Sequence, residues 1–258
     1  MSLENAKIVL TGGTGGIGRH LAGAPVNGGA ALVVVSRSEP SIDGVQQLAA
    51  DLSSLNEIER VARQTAAWQP DILINLAGDQ YFGPFEQQAA DDVNSSFCLN
   101  LIAPTILTQN ILPGMKERGC GHIVNVGSIF GSINYPHFVT YSVAKAGLYA
   151  LSQALRRELD DSGVHVTYVA PRAVEAGLNK GAVARFVEMT KMAVDTPEHV
   201  AQRIVKAIRN KERDVFIGQP EKLFVWMNAM APALVDLGLA QQTRKARELL
   251  QSDLFGGR

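Results

Sequence analysis

The chain has 258 residues, of which 46% are hydrophobic and 19% charged, and its formal net charge is -1 at pH 7. This length suits one large α/β domain with a substantial buried core. The basic residues are scattered, which leaves no electrostatic footprint for nucleic acid or for an anionic membrane.

The start of the chain and its two cysteines indicate the cellular compartment of the protein. The first apolar run begins at residue 7, so close to Met1 that we expect no targeting segment. Cys98 and Cys120 have no metal-type spacing and form no CxxC pair, so we expect buried thiols in a reducing environment. We therefore predict a cytoplasmic protein without a metal site.

Strand-length apolar runs alternate with longer helical segments along the chain. Strands are predicted at residues 7–10, 31–35, 72–75, 122–126, 164–169 and 213–218. Helices are predicted at residues 17–28, 55–68, 91–118, 141–161 and 197–211. Runs that are apolar on both faces are typical of buried parallel strands. The pattern predicts a single α/β domain with a doubly wound, Rossmann-like parallel sheet in three α/β/α layers and a ligand site at the carboxyl ends of its strands.

Two segments fit this scheme poorly. Pro25 falls inside the first predicted helix, where it removes a hydrogen bond, so we expect a short or distorted helix. Between Arg37 and Asp51 there is room only for a loop and one turn, so we expect the second crossover to lack its full helix.

A glycine-rich run at residues 11–18 follows the first predicted strand and opens the first predicted helix. Glycines let the backbone approach a diphosphate closely, and a helix amino terminus offers free N–H groups and a favourable dipole. The run fits G-x-G-x-x-G from Gly13 or G-x-x-x-G-x-G from Gly12, and either pattern indicates dinucleotide binding. A flexible turn is the alternative. The candidate cofactor-binding residues are Gly12, Thr14, Gly15, Gly16, Ile17 and Gly18.

The end of the second strand bears on which nicotinamide nucleotide binds, because a carboxylate there holds a ribose 2'-hydroxyl and a cation accepts a 2'-phosphate. This strand ends in Ser36-Arg37, and Glu39 lies beyond the arginine. Arg37 can make charge-assisted contacts to a phosphate. We therefore predict NADP(H) in preference to NAD(H), with Ser36 and Arg37 at the site; a solvated loop charge is the alternative for Arg37.

Tyr141 and Lys145 share one face of a predicted helix, because residues four apart lie one turn apart. A tyrosine with a pKa of about 10 is a poor acid at neutral pH, and a nearby cation lowers that pKa. Ser128, thirteen residues upstream of Tyr141, adds a hydroxyl that can hold a carbonyl group. The three residues predict carbonyl reduction, although an isolated Y-x-x-x-K is also typical of a solvated helix face.

Together these motifs make the chain resemble the short-chain dehydrogenase/reductase family over residues 7–218. The resemblance also rests on Asp51-Leu52, which stand where the family's third strand ends, on residues 75–78 (Asn-Leu-Ala-Gly) after the family's fourth strand, predicted here at 72–75, and on Asn100. It implies an oxidoreductase in which Tyr141 is the general acid and Ser128 holds the carbonyl. It also implies that Lys145 lowers the phenol pKa and binds the nicotinamide ribose, and that Asn100 completes a proton relay from Lys145.

The same resemblance implies further contacts to the cofactor. Asp51 and Leu52 would contact the adenine, and Asn75, Ala77 and Gly78 would line the cofactor groove. Alternatives are a helix cap for Asp51, a turn residue for Asn75 and a solvent-facing polar residue for Asn100. Family members associate through the helices at 91–118 and 141–161, which implies a homodimer or homotetramer.

The sequence departs from the family pattern in two places. Leu76 replaces the second asparagine of Asn-Asn-Ala-Gly, a change that we expect to be tolerated. After the strand predicted at 164–169, Pro171-Arg172 stands where Pro-Gly is usual, and Ala176 replaces a threonine that often holds the nicotinamide carboxamide. We expect the backbone of Val174, beside Pro171, to contact the nicotinamide instead.

The segment at residues 173–195 should cover the substrate, because it follows the strand predicted at 164–169 at the carboxyl edge of the sheet. Its apolar side chains and those near Ser128 predict a hydrophobic carbonyl or secondary alcohol, although packing of a helix on the domain would explain half of them. These side chains are Val174, Leu178, Val183, Phe186, Val187, Met189, Met192, Tyr135, Phe138 and Val139.

A strongly apolar segment at residues 222–239 is too short and too interrupted to span a membrane. Three interpretations stay open: a helix packed on the domain or on a second subunit, part of the substrate lid, or a helix on a membrane surface. We predict a catalytic domain at 1–219 and a C-terminal helical tail at 220–258, without a nucleic-acid partner.

Two other functions also stay open. A non-catalytic, cofactor-binding redox sensor is expected to have lost Ser128, Tyr141 or Lys145, and all three are present. A 3-oxoacyl thioester reductase would need a basic docking patch for an acyl carrier. The candidates for that patch are Arg156, Arg157, Lys180 and Arg185.

Overall fold

The computed structural model describes residues 3–26, 29–38, 44–175, 177, 179 and 181–255. Nine strands lie in these ranges: β1 (Lys7–Thr11), β2 (Ala31–Ser36), β3 (Gln46–Ala49), β4 (Ile72–Asn75), β5 (Gly121–Val126), β6 (Val164–Ala170), β7 (Ala173–Val174), β8 (Val194–Asp195) and β9 (Asp214–Phe216). Seven of them form one parallel sheet in the order β3-β2-β1-β4-β5-β6-β9. The short strands β7 and β8 pair with each other in a second sheet.

Helices cover both faces of the large sheet. In the described ranges they are α1 (Gly16–Val26), α2 (Leu55–Trp68), α3 (Ala90–Phe97), α4 (Ala103–Glu117), α5 (Phe130–Ile133), α6 (Val139–Glu158), α7 (Ala182–Thr190), α8 (Pro197–Asn210), α9 (Gln219–Met230) and α10 (Pro232–Phe255). The predicted doubly wound parallel sheet is therefore confirmed.

The central strands are buried on both faces, which explains their continuous apolar sequences. In β1, Ile8 and Leu10 point into a core shared with α1 and α8, and Val9 points into a core shared with α2 and α4. The strand order reverses between β1 and β4. A crevice at the carboxyl ends of these two strands is the usual ligand site of such a sheet.

Three sequence predictions need correction. The stretch between Arg37 and Asp51 contains the strand β3, whose glutamines and position at the sheet edge hide it from an apolar pattern. The helix predicted at 91–118 is α3 and α4 joined by a π-helical turn at Cys98–Ile102. Cys98 is buried as expected, but Cys120 is exposed.

The first helix ends at Val26, one residue after Pro25, which agrees with the expected early end. Of the connection after β2, residues 39–43 lie outside the described ranges. In the part of the chain that the structure covers, each helix is too short or too polar to cross a bilayer.

Candidate active site

The glycine-rich run forms the turn between β1 and α1. Gly12 has a φ of 72°, and a methyl group there would come within 2.9 Å of Ala77 Cα. A methyl group at Gly18 would collide with the carbonyl oxygen of Gly12. Neither position accepts a side chain. A diphosphate can therefore come close to the backbone of the turn and to the free N–H groups at the start of α1.

Thr11, to which the sequence analysis gave no role, joins this turn to the loop after β4. Its hydroxyl oxygen accepts hydrogen bonds from Leu76 N and Ala77 N, each at 3.0 Å. The hydroxyl thereby fixes two neighbouring strand ends that border the crevice. In the sequence, Thr11 stands between the first predicted strand and the glycines of the run at residues 11–18.

The end of β2 carries a small polar cluster. Ser36 Oγ donates to Ser38 O at 2.6 Å, and Ser38 Oγ donates to Thr14 Oγ1 at 3.3 Å. These hydrogen bonds connect the glycine turn with the strand end at which the 2'-phosphate is predicted to bind. Arg37 is exposed beside them, where a ligand can reach its guanidinium group.

Asp51 and Leu52 lie between β3 and α2. Backbone and side-chain hydrogen bonds from Ser53, at 3.0 and 2.8 Å, lower the pKa of Asp51, and the charge of Arg37 adds to the effect. Ser54 is the residue that precedes α2, and the Asp51 carboxylate bonds to Ser53 instead of capping the helix. Leu52 is buried.

The Asn75 side chain has a structural role at the end of β4. It is 1% exposed, and its amide donates to Asn125 Oδ1 at 2.8 Å. Asn125 in turn donates to Ser152 Oγ at 2.8 Å. This buried ladder joins β4, β5 and α6, and Asn75 Oδ1 accepts no hydrogen bond from the described residues.

Ser128, Tyr141 and Lys145 converge in the crevice, although they come from a loop and a helix. Ser128 follows β5, and its Oγ accepts a hydrogen bond from Phe130 N at 3.2 Å and is hydrogen-bonded to the Tyr141 hydroxyl. Lys145, one turn after Tyr141 on α6, donates from Nζ to Val126 O at 3.1 Å. All three residues are buried.

Burial dominates the acid–base properties of this group. It raises the pKa of Tyr141 to about 12, although the hydrogen bond with Ser128 acts in the opposite direction. It lowers the pKa of Lys145 to about 8. These side chains alone therefore do not lower the phenol pKa in the way that the sequence predicts.

Asn100 lies in the π-helical turn and is completely buried, which rules out the solvent-facing alternative. Such turns occur often at functional sites because they redirect one side chain. The Asn100 amide donates to Asp79 O and to Ser96 O, both at 2.9 Å. Its Oδ1 accepts no hydrogen bond from the described residues, and a methyl group on Gly78 would lie 2.8 Å from it and 3.3 Å from Lys145 Nζ.

Ser128, Tyr141 and Lys145 lie in the wall of a pocket of about 100 Å³. Gln80 and Asn179 supply polar atoms at another wall, where Gln80 Nε2 donates to Asn179 Oδ1 at 2.9 Å. Most of the lining is apolar: Ile17, Leu76, Ile129, Phe130, Phe138, Val174, Val183, Phe186, Val187 and Met192.

Arg172, which stands where the family pattern has glycine, forms ion pairs that hold the segment predicted to cover the substrate. Its guanidinium binds both carboxylate oxygens of Asp195 at 3.0 Å and Glu221 Oε1 at 3.3 Å. The three side chains are mostly buried. They fasten the connection after β6 to β8 and α9, and sequence alone did not predict this link.

The sequence profile of the family described as short chain dehydrogenase matches residues 6–185, which contain the glycine turn and the three converging side chains. The chain belongs to this family. It is 32% identical over 256 residues to ketoacyl reductase HetN from Nostoc sp., with 91% of this chain and 88% of the relative covered. It is 29% identical over 272 residues to dehydrogenase/reductase SDR family member 7B from Bos taurus, with 95% and 84% covered.

Solved structures of short-chain dehydrogenases have the same fold. One from Sphingobium yanoikuyae, in complex with NADPH, has a TM-score of 0.75 at 26% identity, with 90% of this chain and 96% of that chain covered. One from Burkholderia cenocepacia, in complex with NADP, has a TM-score of 0.79 at 20% identity, with 93% and 99% covered, a likeness of fold alone. The protein is thus an NAD(P)-dependent oxidoreductase that binds a nicotinamide cofactor and acts on a small molecule.

Two features of this short-chain dehydrogenase fit a dinucleotide. The turn at Gly12 and Gly18 is a cradle that side chains would fill. The buried Asn100 Oδ1 is an acceptor without a described donor. Both lie along the crevice at the carboxyl ends of β1 and β4, where the fold family binds its cofactor.

The predicted pocket residues divide into two groups. Val174, Val183, Phe186, Val187, Met192 and Phe138 line the pocket as predicted, and Pro171, predicted as a cofactor contact, also lines it. Tyr135 instead packs in the ring cluster behind the pocket, and Met189 and Val139 are exposed, so these three predictions were wrong. Leu178, Ala176 and Lys180 lie outside the described residues.

Proposed function

We propose that this protein is an NADP(H)-dependent reductase or dehydrogenase that interconverts an apolar carbonyl compound and its secondary alcohol, with Tyr141 as general acid and base. One observation carries the proposal: Ser128 and the buried Tyr141 lie together in the wall of an apolar pocket. Two hydroxyls that meet in this way can hold and protonate one substrate oxygen.

Each polar group of the site has a separate task in this proposal. The bound cofactor supplies or accepts the hydride. Ser128 orients the substrate oxygen, and Tyr141 gives that oxygen its proton during reduction and removes it during oxidation. Lys145 binds the ribose and stabilises the tyrosinate, and Asn100 passes protons between Lys145 and solvent.

The cofactor contacts follow the crevice from the glycine turn to the end of β6. The diphosphate would lie on the turn and the adenine beside Asp51 and Leu52, with the nicotinamide next to Pro171 and the Val174 backbone. The remaining proposed contacts are Gly12, Thr14, Gly15, Gly16, Ile17, Gly18, Ser36, Arg37, Asn75, Ala77, Gly78, Tyr141 and Lys145.

A preference for NADP(H) rests on the exposed Arg37 and its hydroxyl neighbours Ser36 and Thr14. A phosphate at this strand end would receive a charge-assisted hydrogen bond from Arg37. Hydroxyl groups follow the end of β2 beside Arg37, and the Asp51 carboxylate, whose pKa the charge of Arg37 lowers, comes from the loop after β3. The NADPH-bound relative supports the same choice.

A 3-oxoacyl thioester is the second candidate substrate, favoured by the 32% identity to a ketoacyl reductase. Of the predicted carrier patch, Arg185 is exposed on α7 next to Phe186 of the pocket wall, whereas Arg156 is distant from the pocket. Arg156 lies about 22 Å along α6 from Tyr141, at 1.5 Å per residue, and pairs with Asp214 at 2.7 Å. Arg156 therefore lies too far from the pocket to guide a carrier to it.

We also propose a cytoplasmic location and a homo-oligomeric assembly. The free thiols of Cys98 and Cys120 are in keeping with a reducing compartment. Val139 and Val143 are exposed on α6, and a homodimer or homotetramer formed through α4 and α6 would cover such side chains. We also keep the division into a catalytic domain at 1–219 and a tail at 220–258.

The test is NADPH oxidation by the purified protein with matched panels of apolar ketones, small polar ketones and 3-oxoacyl thioesters. Apolar ketones should be reduced fastest. Tyr141→Phe should lose about 10²–10⁴-fold in turnover and still bind NADPH. Near-normal turnover by this variant would refute the proposed role of Tyr141, and faster reduction of thioesters would favour the second substrate.

A further inference from the structure

The C-terminal helix α10 lies against α7, the helix that carries Phe186 and Val187 of the pocket wall. The family profile matches residues 6–185 and ends within α7, so α10 lies beyond it. Among the described residues, the pocket wall contains none from α10. An effect of α10 on the pocket would therefore pass chiefly through its contact with α7.

Two buried side chains of α10 join an apolar cluster with α7. Ala246 and Leu249, three residues apart on one face of the helix, are 0% and 7% exposed. They belong to the same cluster as Val183 and Phe186 of α7 and Tyr141 of α6. A completely buried alanine lets two helices approach closely, and a larger side chain in its place would have to displace a neighbour.

Lys245, the residue before Ala246, holds the end of α7. Its Nζ donates to Met189 O at 2.8 Å. Met189 lies in the last turn of α7, where the backbone carbonyl groups have no donor within the helix. An ammonium group at this end satisfies one such carbonyl and interacts favourably with the helix dipole. A single turn of α10 thus fixes α7 by an apolar contact and by a charge-assisted hydrogen bond.

The side of α7 that carries Phe186 leaves little free space. The Phe186 ring is completely buried, and its centre lies 5.9 Å from that of Tyr135 and 6.1 Å from that of Phe138. The pocket itself measures about 100 Å³. Because a closely packed interior transmits a displacement to its neighbours, a shift of α7 would change the room that a substrate has beside Tyr141.

We propose that α10 positions α7 over the substrate pocket, so that Lys245 and Ala246 influence the affinity and size of the substrate without touching it. The proposal rests on the proposed function, because it assigns the pocket to an apolar carbonyl compound. The main contacts of α10 are with α7 and α9, whereas the glycine turn joins β1 and α1. We therefore expect NADPH affinity to be independent of these two positioning residues.

Steady-state kinetics of two variants at Lys245 test the hydrogen bond. Lys245→Met should raise KM for apolar ketones by about 2- to 10-fold, the factor that one hydrogen bond contributes, at nearly unchanged kcat. Lys245→Arg keeps a cationic donor and should behave like the unaltered protein. Arg244→Met is the matched control, because Arg244 is exposed on the same turn of α10 and its loss should leave KM unchanged.

A larger side chain at residue 246 tests the apolar contact. Ala246→Leu should push α7 towards the pocket and lower kcat/KM for bulky ketones more than for small ones, because an overpacked contact displaces its neighbours. Ala240→Leu, at an exposed position of α10, is the control and should leave the ketone profile unchanged. NADPH binding by each variant verifies the fold.

Hydrogen exchange of the free protein separates this proposal from the proposed function, because it requires no substrate. Lys245→Met should speed the exchange of amides in α7 but not in α1, since local opening depends on local contacts. Equal exchange of α7 in the variant and the unaltered protein overturns the proposal, as does an unchanged KM and ketone profile despite faster exchange. If the unaltered protein reduces no ketone, the proposed function fails, and the exchange of α7 alone decides this proposal.

Discussion

Lys145 Nζ lies 5.7 Å from the centre of the Tyr141 ring, and burial shifts the pKa values of these two residues in opposite directions. The phenol pKa rises to about 12, and the ammonium pKa falls to about 8. The fold therefore keeps the charged ammonium group of Lys145 buried at neutral pH, which destabilises the folded protein. Catalytic sites commonly carry such a stability cost.

We expect Lys145→Met to abolish turnover and to stabilise the free protein at pH 7, because it removes a buried charge. The gain should be about 1–4 kcal/mol, as for other buried charges replaced by apolar groups. Lys145 has a lower pKa in the folded protein than its ordinary 10.5, so the unfolded chain binds more protons between pH 8 and 10.5. The stability of the unaltered protein then rises with pH, and the advantage of the variant shrinks across that window.

Urea unfolding at several pH values from 7 to above 10 measures this effect. Lys116→Met is the control, since Lys116 is exposed on α4 and should give a difference without this pH dependence. A constant gain for Lys145→Met at every pH would mean that its titration is not responsible.

A second prediction concerns Gly78, which separates Asn100 from Lys145. Gly78→Ala adds a methyl group 2.8 Å from Asn100 Oδ1 and 3.3 Å from Lys145 Nζ, and should displace both. We expect kcat to fall by about 10- to 100-fold, a loss typical of misplaced catalytic groups. Steady-state kinetics measure the loss. Gly23→Ala is the control because its methyl group meets nothing within 4 Å, and equal kinetics for both variants would contradict the proposed relay.

Much of this site could be predicted from the sequence because its motifs are local. The glycine turn needs only a strand before it and a helix after it, and Tyr141 and Lys145 need only helical spacing. The links that depend on distant contacts were not predictable: Arg172 meets Asp195 and Glu221 across 23 and 49 residues. The edge strand β3 was missed for a different reason, since an exposed edge does not require an apolar sequence.

The third prediction tests Arg172 as the residue that positions the substrate segment. Arg172→Ala leaves the carboxylates of Asp195 and Glu221 buried without their partner. It should reduce the free energy of unfolding by about 3–5 kcal/mol and raise KM, because the end of the segment at β8 loses its anchor. Arg203→Ala, on α8, breaks the pair with Glu212, whose side chains are 26% and 28% exposed, and should leave KM unchanged. Equal KM values for the two variants would limit Arg172 to a role in stability.

The fourth prediction concerns Phe186, which closes the pocket from α7. Its ring is completely buried and lies 5.1 Å from Phe82 and 6.1 Å from Phe138 between ring centres. Phe186→Leu should enlarge the pocket and move the kcat/KM optimum towards bulkier ketones, at a stability cost of about 1–3 kcal/mol. Met189→Leu, on the exposed side of α7, is the control. An unchanged ketone profile would show that Phe186 does not limit substrate size.

The last prediction separates the two nicotinamide cofactors at Arg37. Because a hydrogen bond to a charged group contributes about 1.5–3 kcal/mol, Arg37→Ala should weaken NADPH binding by roughly 10- to 100-fold. It should leave NADH binding nearly unchanged, since NADH has no 2'-phosphate for the arginine to contact. Fluorescence titration with both cofactors at two salt concentrations measures this, and the salt dependence of NADPH binding should decrease in the variant.

Arg63→Ala, which removes a guanidinium 69% exposed on α2, controls for the change in net charge. If NADH binds as tightly as NADPH in the unaltered protein, and Arg37→Ala changes neither affinity, then Arg37 is a solvated loop charge and the cofactor preference is wrong.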